Sequence, residues 1–241
     1  MVDLQFISKL YISFLFVSSA FLFLVSLVIW AITLAFDKRL VLLHYFTLWW
    51  SGLYIRIVPS WKIKALGREK VDLKKPYVIV SNHQSYLDIM AASFLFIPFK
   101  WVSKAEIFKV PFIGWNMRLN NYIKLERGGR RSIAKMMMKC EEAIKKGSSV
   151  FLFPEGTRSP DGKLKKFMPG AFVIAKRMQV DILPVVIKGT RDAVPKNSLR
   201  INNRADITVE ALDVIPYTLV AELDAIEAAE LVHQKIEQAL G

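Results

Sequence analysis

A histidine and an aspartate five residues apart follow an apolar stretch, in the run Asn82-His83-Gln84-Ser85-Tyr86-Leu87-Asp88. If a helix begins with Ser85 as its N-cap, His83 lies in the preceding loop and Asp88 in the first turn. The imidazole can then fold toward the carboxylate, and a hydrogen bond between them fixes the tautomer and raises the basicity of the other ring nitrogen. Such an imidazole is a suitable general base for a hydroxyl group at neutral pH.

The same spacing also has a purely structural interpretation. Ser85 and Asp88 match a capping box, and an aspartate in the first turn is favoured by the helix dipole. A single histidine after a strand is usually structural. The spacing alone therefore leaves both interpretations open.

A second polar cluster, Pro154-Glu155-Gly156-Thr157-Arg158-Ser159, follows another apolar stretch. Glycine lets backbone amides approach an anion, Thr157 adds a hydroxyl donor, and Arg158 can bind a phosphate through two parallel hydrogen bonds. The basic run Leu125-Glu126-Arg127-Gly128-Gly129-Arg130-Arg131 also contains glycines. Taken singly, each run is more typical of an ordinary polar turn with solvated arginines.

Both clusters lie at positions where ligand sites occur in α/β proteins. Beyond residue 60, short apolar runs alternate with helix-like stretches, which predicts a mixed, largely parallel sheet flanked by helices. The predicted strands are Tyr77–Ser81, Lys100–Ser103, Asn121–Leu125, Ser149–Phe153, Ile182–Ile187 and Ile207–Ala211, and the predicted helices are Tyr86–Phe96, Arg131–Lys146, Ala171–Met178 and Asp224–Leu240. Ligands collect at the carboxyl ends of strands in such sheets, and His83 and Glu155 follow two of those ends.

The N-terminal part of the chain predicts a membrane anchor. Leu10–Phe36 is a run of 27 residues without a charge. It is too long for a signal peptide, and as a helix it would reach roughly 40 Å, beyond the ~30 Å of a bilayer's hydrocarbon core. Leu40–Ile55 is shorter and rich in aromatic rings, which suits the headgroup boundary. We therefore expect two anchoring helices in residues 1–58 and an α/β domain carrying both clusters in residues 59–241.

Two arrangements of this anchor are open. The first segment can span the bilayer while the second lies at its surface, or both can lie in one leaflet. The charged turn Asp37-Lys38-Arg39 disfavours a hairpin whose turn points into hydrocarbon. We favour the one-leaflet pair, because the second segment is too short to return easily across the bilayer. The basic residues that follow (Lys38, Arg39, Arg56, Lys62, Lys64 and Arg68) predict a cytoplasmic domain, at the inner membrane if the source is bacterial.

The net charge limits the classes of partner that the chain is expected to bind. The chain has 34 basic and 21 acidic residues, a net charge of +13, with 53% hydrophobic residues and a mean hydropathy of +0.31. Nucleic acid, an anionic bilayer and phosphorylated substrates are the three classes that such a charge can serve. The apolar anchor favours the bilayer and its phosphate headgroups. Because no zinc-finger or aromatic RNA-binding pattern is present, we expect no nucleic-acid partner.

Cysteine and histidine usage predicts neither a disulfide nor a metal site. The single cysteine, Cys140, excludes an intrachain disulfide and fits a reducing compartment. It falls on the apolar face of the predicted helix Arg131–Lys146, so we interpret it as a core residue. The three histidines, His44, His83 and His233, are far apart in the sequence. We therefore expect no metal.

Together these segments resemble the glycerolipid acyltransferase family that includes the 1-acylglycerol-3-phosphate acyltransferases, over roughly Pro76 to Thr190. The family's first motif, histidine with aspartate five residues later, matches His83 and Asp88, and its third matches Pro154 to Ser159 without a mismatch. Its fourth, a proline in an apolar strand, matches Pro184. Its second keeps Arg127 but has Glu126 where aspartate is common.

The resemblance implies a role for each site residue. His83 would be the general base on the acceptor hydroxyl, and Asp88 would orient and electrostatically support it. Arg127, Gly156, Thr157 and Arg158 would bind the glycerol-phosphate head. Glu155 would hold the loop or an arginine in place, and Lys104 would be a further phosphate or oxyanion partner. No cofactor is implied, since the acyl donor, acyl-CoA or acyl-carrier protein, is a substrate.

The expected reaction is acylation of 1-acylglycerol 3-phosphate (lysophosphatidic acid) to phosphatidic acid, with the lipid bilayer as a partner. Two alternatives remain open. The same motifs serve glycerol-3-phosphate, lysophospholipid and amino-lipid acceptors. A membrane-anchored module that binds anionic lipid and catalyses nothing would explain the anchor and the charge, but not a histidine–aspartate pair at a strand end.

Overall fold

The computed structural model describes residues 4–126, 128–159, 162–194 and 204–241. The strands are β1 (Trp61–Leu66), β2 (Val78–Ser81), β3 (Phe99–Lys104), β4 (Ile123–Leu125), β5 (Ser149–Leu152), β6 (Ile182–Lys188) and β7 (Ala205–Ala211). The helices are α1 (Leu4–Thr33), α2 (Val41–Arg56), α3 (Leu87–Ala92), α4 (Ile113–Leu119), α5 (Arg130–Lys145), α6 (Gly170–Met178), α7 (Thr190–Ala193), α8 (Tyr217–Glu222) and α9 (Ala225–Leu240). Short 3₁₀ turns cover Arg68–Lys70, Ser93–Leu95 and Ile107–Lys109.

In the described residues the strands form one seven-stranded sheet in the order β1-β7-β6-β2-β5-β3-β4. From β6 to β4 every neighbouring pair is parallel. At the other edge, β7 runs antiparallel to β6 and parallel to β1. The mixed, largely parallel sheet predicted from the sequence is therefore confirmed.

Alternating side chains of the central strands build a core on each face of the sheet. Ile79 of β2 points to the layer that contains α2 and α3. Val78 and Val80 point to the opposite layer, beside Cys140 of α5. This period of two follows from the pleat of the strand. Cys140 is a core residue as predicted, and its burial raises the pKa of its thiol to about 12.

Some elements differ from the prediction. β1, α4, α7 and α8 were not predicted, and the predicted helix Tyr86–Phe96 is split into α3 and a 3₁₀ turn. β1 had a readable signal, because its apolar residues alternate with Lys62 and Lys64 as in a half-exposed edge strand. On α5, Ile133 lies in the first turn of the helix and is 47% exposed, although the helical period places it on the same face as Cys140.

The second N-terminal helix belongs partly to the core of the α/β domain. Leu48 and Ile55 of α2 join the buried cluster under the sheet. Trp50 and Tyr54, predicted to lie at the headgroup boundary, are instead buried between α1 and α2. Trp50 Nε1 donates to Tyr54 Oη at 2.7 Å. The predicted interfacial position is therefore wrong for these two rings, while Trp49 is 43% exposed.

A buried histidine fixes α2 to the edge of two strands. The amide of Phe99 donates to His44 Nε2 at 3.2 Å, and His44 Nδ1 lies 2.7 Å from Tyr122 Oη. Burial lowers the pKa of His44 to about 3, with the charge of Lys100 as a further cause. The imidazole is therefore neutral, and its role is structural.

Contacts near both ends hold α1 along the domain. Tyr11 Oη donates to the carbonyl of Tyr54 at 2.6 Å, and the Tyr11 ring meets Trp61 edge to face. In the turn after α1, Arg39 donates to the carbonyl of Gly147 at 2.6 Å. The helix thus lies across the domain instead of projecting from one end of it.

The outward side of α1 is apolar. Its part Ser8–Thr33, 26 residues, is long and apolar enough to cross a membrane by length and composition. Large side chains are exposed along this side: Leu10, Phe14, Val17, Phe21, Leu24, Val28 and Ile32. Apolar surface of this extent indicates contact with lipid or with another protein.

Candidate active site

The carboxyl ends of two neighbouring parallel strands bring the polar clusters together. β2 ends at Ser81 and β5 at Leu152, and Val80 pairs with Leu152 in register. The loops that follow therefore leave from the same edge of the sheet. The amide of Ser159 donates to the carbonyl of His83 at 2.9 Å, which joins the two loops directly.

The histidine and aspartate form a hydrogen-bonded pair. His83 Nδ1 lies 2.8 Å from Asp88 Oδ2. A carboxylate accepts this bond, so the neutral ring carries its proton on Nδ1 and presents the lone pair of Nε2. Among the residues that the structure describes, none holds His83 Nε2 by a hydrogen bond. That nitrogen can accept the proton of a hydroxyl group.

Asp88 is fully buried and receives hydrogen bonds on both oxygens. Oδ2 also accepts from the amides of Gln84 and Ser85 at 2.6 and 2.8 Å, and Oδ1 accepts from the hydroxyl of Thr190. Ser85 Oγ in turn accepts from the amide of Leu87 at 3.3 Å. The predicted capping box is only half formed, because Asp88 accepts from the amide of Ser85 while the hydroxyl of Ser85 bonds to Leu87 and to the carbonyl of Val194. The predicted N-cap is also wrong, since α3 begins at Leu87 with Tyr86 as its N-cap. The donors to Asp88 offset the cost of burying the carboxylate.

Asn82 positions the loop that carries His83. Its side-chain nitrogen donates to the carbonyl of Ile187 at 2.8 Å, and its oxygen accepts from the amide of Ile187 at 2.9 Å. The buried amide thus pairs with the backbone of β6 as another strand residue would. This fixes the backbone beyond β2 just before the histidine.

An aromatic ring supports the imidazole from one side. The ring of Phe153 stacks on His83 with centroids 4.0 Å apart and planes at 15°. Trp101 lies behind Phe153, with ring centroids 5.8 Å apart. A protonated imidazole would face the electron-rich side of the Phe153 ring, which stabilises a cation. Phe153 thereby orients His83.

Glu155 bonds to the backbone of two loops. Its Oε1 accepts from the amide of His83 at 2.6 Å, and its Oε2 accepts from the amide of Lys165 at 3.2 Å. Burial raises the pKa of Glu155 to about 7, opposed by these two amide donors. Its geometry is that of a residue that holds the loops together, and the side chain is 7% exposed.

Gly156 makes the sharp turn between Glu155 and Thr157. Its φ is +69°, and a Cβ there would lie 2.4 Å from the terminal carbon of Met168. Its amide donates to the carbonyl of Phe153 at 3.0 Å, so this N–H serves the turn. Gly156 and Thr157 are both exposed at the rim of the site.

The guanidinium of Arg158 lies flat on an aromatic ring. Its central carbon is 3.7 Å from the centroid of Tyr86, which is 48% exposed. Stacking on Tyr86 fixes the guanidinium plane, and the edges of such a plane are the part that can bind a phosphate in a fork. Arg158 therefore lies between the loop of the second cluster and the first turn after His83.

Two of the predicted site residues are less closely tied to this centre. Lys104 is exposed at the carboxyl end of β3, next to β5 in the sheet. Within the described ranges, no hydrogen bond or ion pair connects Lys104 to His83, Asp88 or Glu155. Arg127 lies outside the described residues, so its predicted role stays a prediction.

The chain matches the sequence profile of a known protein family. The sequence profile of the Acyltransferase family matches residues 62–188, just over half of the chain. The chain belongs to the Acyltransferase family. The matched range includes His83, Asp88 and the loop from Phe153 to Arg158.

Named relatives are similar in sequence to most of this chain. A chloroplastic 1-acyl-sn-glycerol-3-phosphate acyltransferase of Arabidopsis thaliana is 39% identical over 80% of this chain and 54% of its own length. One from Brassica napus is 41% identical over 73% of this chain and 51% of its own length. The chain therefore spans about half the length of these relatives.

A solved structure has the same fold as this chain. The 1-acyl-sn-glycerophosphate acyltransferase PlsC from Thermotoga maritima superposes with a TM-score of 0.78, covering 97% of this chain and 93% of its own. The two sequences are 22% identical. The comparison shows a common fold over nearly the whole chain, including the N-terminal helices.

Three residues that support the histidine–aspartate pair were not predicted from the sequence. Asn82 and Phe153 are adjacent to the two motifs in the sequence. Their closeness to the site was therefore predictable, but the contacts that they make were not. Thr190 follows β6, 102 residues after Asp88, and no local pattern points to it. Only its place at the carboxyl end of a strand beside β2 could have identified it.

Proposed function

We propose that this chain is a membrane-bound acyltransferase that transfers a fatty acyl group to the sn-2 hydroxyl of 1-acylglycerol 3-phosphate, giving phosphatidic acid. The observation that carries the proposal is the pair of His83 and Asp88, with Nε2 of the imidazole left to face a substrate. The names of the plant relatives support the choice of acceptor.

The proposed mechanism needs no nucleophile from the protein. His83 Nε2 takes the proton of the acceptor hydroxyl as its oxygen attacks the carbonyl carbon of an acyl thioester. The tetrahedral intermediate collapses, the carbon–sulfur bond breaks, and the imidazolium returns the proton to the thiolate. Asp88 and the ring of Phe153 stabilise the imidazolium in between. The donor is acyl-CoA or acyl-carrier protein.

The acceptor's phosphate would bind at the rim formed by the second cluster. Arg158, held against Tyr86, supplies a fork of donors, and Thr157 adds an exposed hydroxyl. Arg127 and Lys104 are further candidate cations, on sequence grounds. Glu155 acts indirectly in this proposal, because both of its oxygens bond to loop amides.

The structure favours an anchor that lies in one leaflet. Tyr11 and the turn around Arg39 are both tied to the α/β domain, although about 28 residues of helix and turn separate them, roughly 40 Å of helix. A helix tied at both ends to a water-exposed domain lies along the membrane surface more readily than across it. Together with the basic residues after the anchor, this supports an active site at the cytoplasmic face.

An acceptor panel tests the proposed function. Purified full-length protein should acylate lysophosphatidic acid faster than glycerol 3-phosphate or lysophosphatidylcholine, when each is offered separately with acyl-CoA or acyl-carrier protein. If the protein prefers another acceptor, the proposed acceptor is wrong but the proposed acyl transfer still holds. A protein that acylates none of them while binding anionic vesicles would be a lipid-binding module, and the proposal would be wrong.

Arg158→Lys should raise the KM for lysophosphatidic acid about tenfold or more, because a lysine cannot reproduce a two-bond contact worth roughly 1.5–3 kcal/mol per charged hydrogen bond. The KM for the acyl donor should change little. Arg177→Lys is the matched control, because Arg177 forms an exposed ion pair with Glu141 on the far helices. A lower melting temperature with an unchanged acceptor KM would remove Arg158 from the site.

A further inference from the structure

A short apolar segment of the α/β domain is exposed beside α1. Residues 110–115 read Val-Pro-Phe-Ile-Gly-Trp and connect the 3₁₀ turn after β3 to α4. Val110, Ile113 and Trp115 are 40%, 41% and 42% exposed. Consecutive exposed apolar residues are unfavourable in water unless they have a function. We call residues 110–115 the apolar ledge.

The backbone holds the ledge in a fixed shape. A Cβ at Gly114 would lie 2.5 Å from the backbone of Phe108, so only glycine permits this close approach. Phe112 has a φ of +60°, a conformation that a bulky residue adopts only when its surroundings impose it. The local constraint turns its ring toward α1. The ledge is therefore a defined structure, and its exposure does not come from a loose loop.

Aromatic contacts make the ledge continuous with the apolar side of α1. Phe112 meets Phe16 with ring centroids 5.5 Å apart. Trp115 meets Phe23 at 5.5 Å. Side chains exposed on α1, among them Phe16 and Phe21, extend the same surface. Any lipid phase that covers α1 therefore borders the ledge as well.

Basic residues flank the ledge. From residue 104 to residue 124 the chain has four basic side chains, Lys104, Lys109, Arg118 and Lys124, and one acidic side chain, Glu106. Lys109 and Arg118, nearest the ledge on either side, are both exposed. Apolar and aromatic side chains bordered by lysine and arginine match the boundary between acyl chains and anionic headgroups.

We propose that the apolar ledge inserts into the headgroup–acyl boundary of an anionic bilayer, as a second membrane contact that is separate from the N-terminal helices. The inference rests on the proposed membrane function and adds a contact made by the α/β domain itself. β3 leads into the ledge from the edge of the sheet where His83 and Glu155 lie. Insertion would therefore keep the mouth of the site at the level of the acceptor's headgroup.

A fluorescent probe on the ledge tests the contact directly. In the full-length protein, Ile113→Cys would carry an environment-sensitive fluorophore, and Ile226→Cys, 61% exposed on α9, would carry the control. Cys140 is buried and stays unlabelled. On vesicles of phosphatidylcholine and phosphatidylglycerol, the probe at residue 113 should shift to the blue and be quenched by doxyl-labelled lipids. The control should instead be quenched by iodide.

The same pair of probes can also show that the proposal is wrong. If the two probes respond alike to doxyl lipid and to iodide while the protein is bound to vesicles, the ledge is not inserted and the inference is wrong. This readout does not depend on catalysis. A protein that is inactive on every acceptor but inserts residue 113 would overturn the proposed reaction and leave the ledge in place.

An activity measurement separates the ledge from the catalytic machinery. The triple variant Val110→Ser, Ile113→Ser, Trp115→Ser should raise the KM for acceptor embedded in vesicles at least about tenfold, since it removes three large apolar side chains from lipid. Turnover of a short-chain acceptor dispersed in detergent should be unchanged. Unchanged KM on vesicles would overturn the proposal. If both activities fall together with the melting temperature, the triple variant is misfolded. Quenching of the probe at residue 113 then decides whether the ledge inserts.

Discussion

His83→Ala should lower kcat by about 10²–10⁴-fold, because removal of a general base eliminates proton transfer in the transition state. The KM values should change much less, since the imidazole is expected to act on the hydroxyl and not on the phosphate. Steady-state acylation of lysophosphatidic acid, with the melting temperature measured on the same preparation, checks both parts. The fold should survive, because His83 is held mainly through its backbone, by Glu155 and Ser159.

His233→Ala provides the matched control for this variant. His233 lies on α9 against Phe167, with ring centroids 5.1 Å apart, on the layer opposite α2 and α3. Its loss should lower the melting temperature and leave kcat unchanged. If His83→Ala keeps more than a tenth of the wild-type activity, His83 is not the base and the mechanism is wrong.

Asp88→Asn should lower kcat about 10²-fold or more with little change in shape. The asparagine oxygen can occupy the position of Oδ2, where His83 and two backbone amides donate. Its nitrogen would then face the hydroxyl of Thr190, which can rotate to accept a hydrogen bond. The arrangement is kept but the negative charge is lost, so the imidazolium formed during the reaction loses its main stabilisation. Both kcat and the melting temperature should be measured.

Asp224→Asn is the control that isolates the capping contribution. Asp224 caps α9 through a complete capping box with Glu227, accepting from the amides of Ile226 and Glu227. No histidine takes part. Asparagine caps a helix about as well as aspartate, so this variant should lose only the charge–dipole contribution of roughly 0.3–1 kcal/mol and stay fully active. If Asp88→Asn behaves in the same way, Asp88 is only a helix cap and the pair is not catalytic.

The core strands were predictable because their side chains are buried on both faces. Runs such as Val78–Val80 and Val150–Leu152 are apolar throughout, as central parallel strands are. The edge strand β1 and the short helix α4 were harder. Their residues meet water on one side, so composition alone separates them poorly from loops, and α4 depends on the close approach at Gly114.

Local spacing allowed the pair, and the resemblance of the motifs made it a prediction. His83 and Asp88 are five residues apart, and one turn at a helix start brings them within a hydrogen bond. The sequence indicated two functions for Asp88, as a cap and as a partner of the histidine. In the structure one oxygen of Asp88 accepts from the histidine and from the amide of Ser85, because a carboxylate oxygen accepts several donors.

The rest of the centre was decided by tertiary structure. Thr190 and Phe153 reach the pair only because β6 and β5 lie on either side of β2, and strand order is not written in any local pattern. The N-terminal helices show the same limit. Composition determined that both are apolar, but Trp50 and Tyr54 are buried against α1 because helix packing chose the face they share. A ring that suits a membrane boundary suits a protein interior equally well, and only the neighbouring surfaces decide between them.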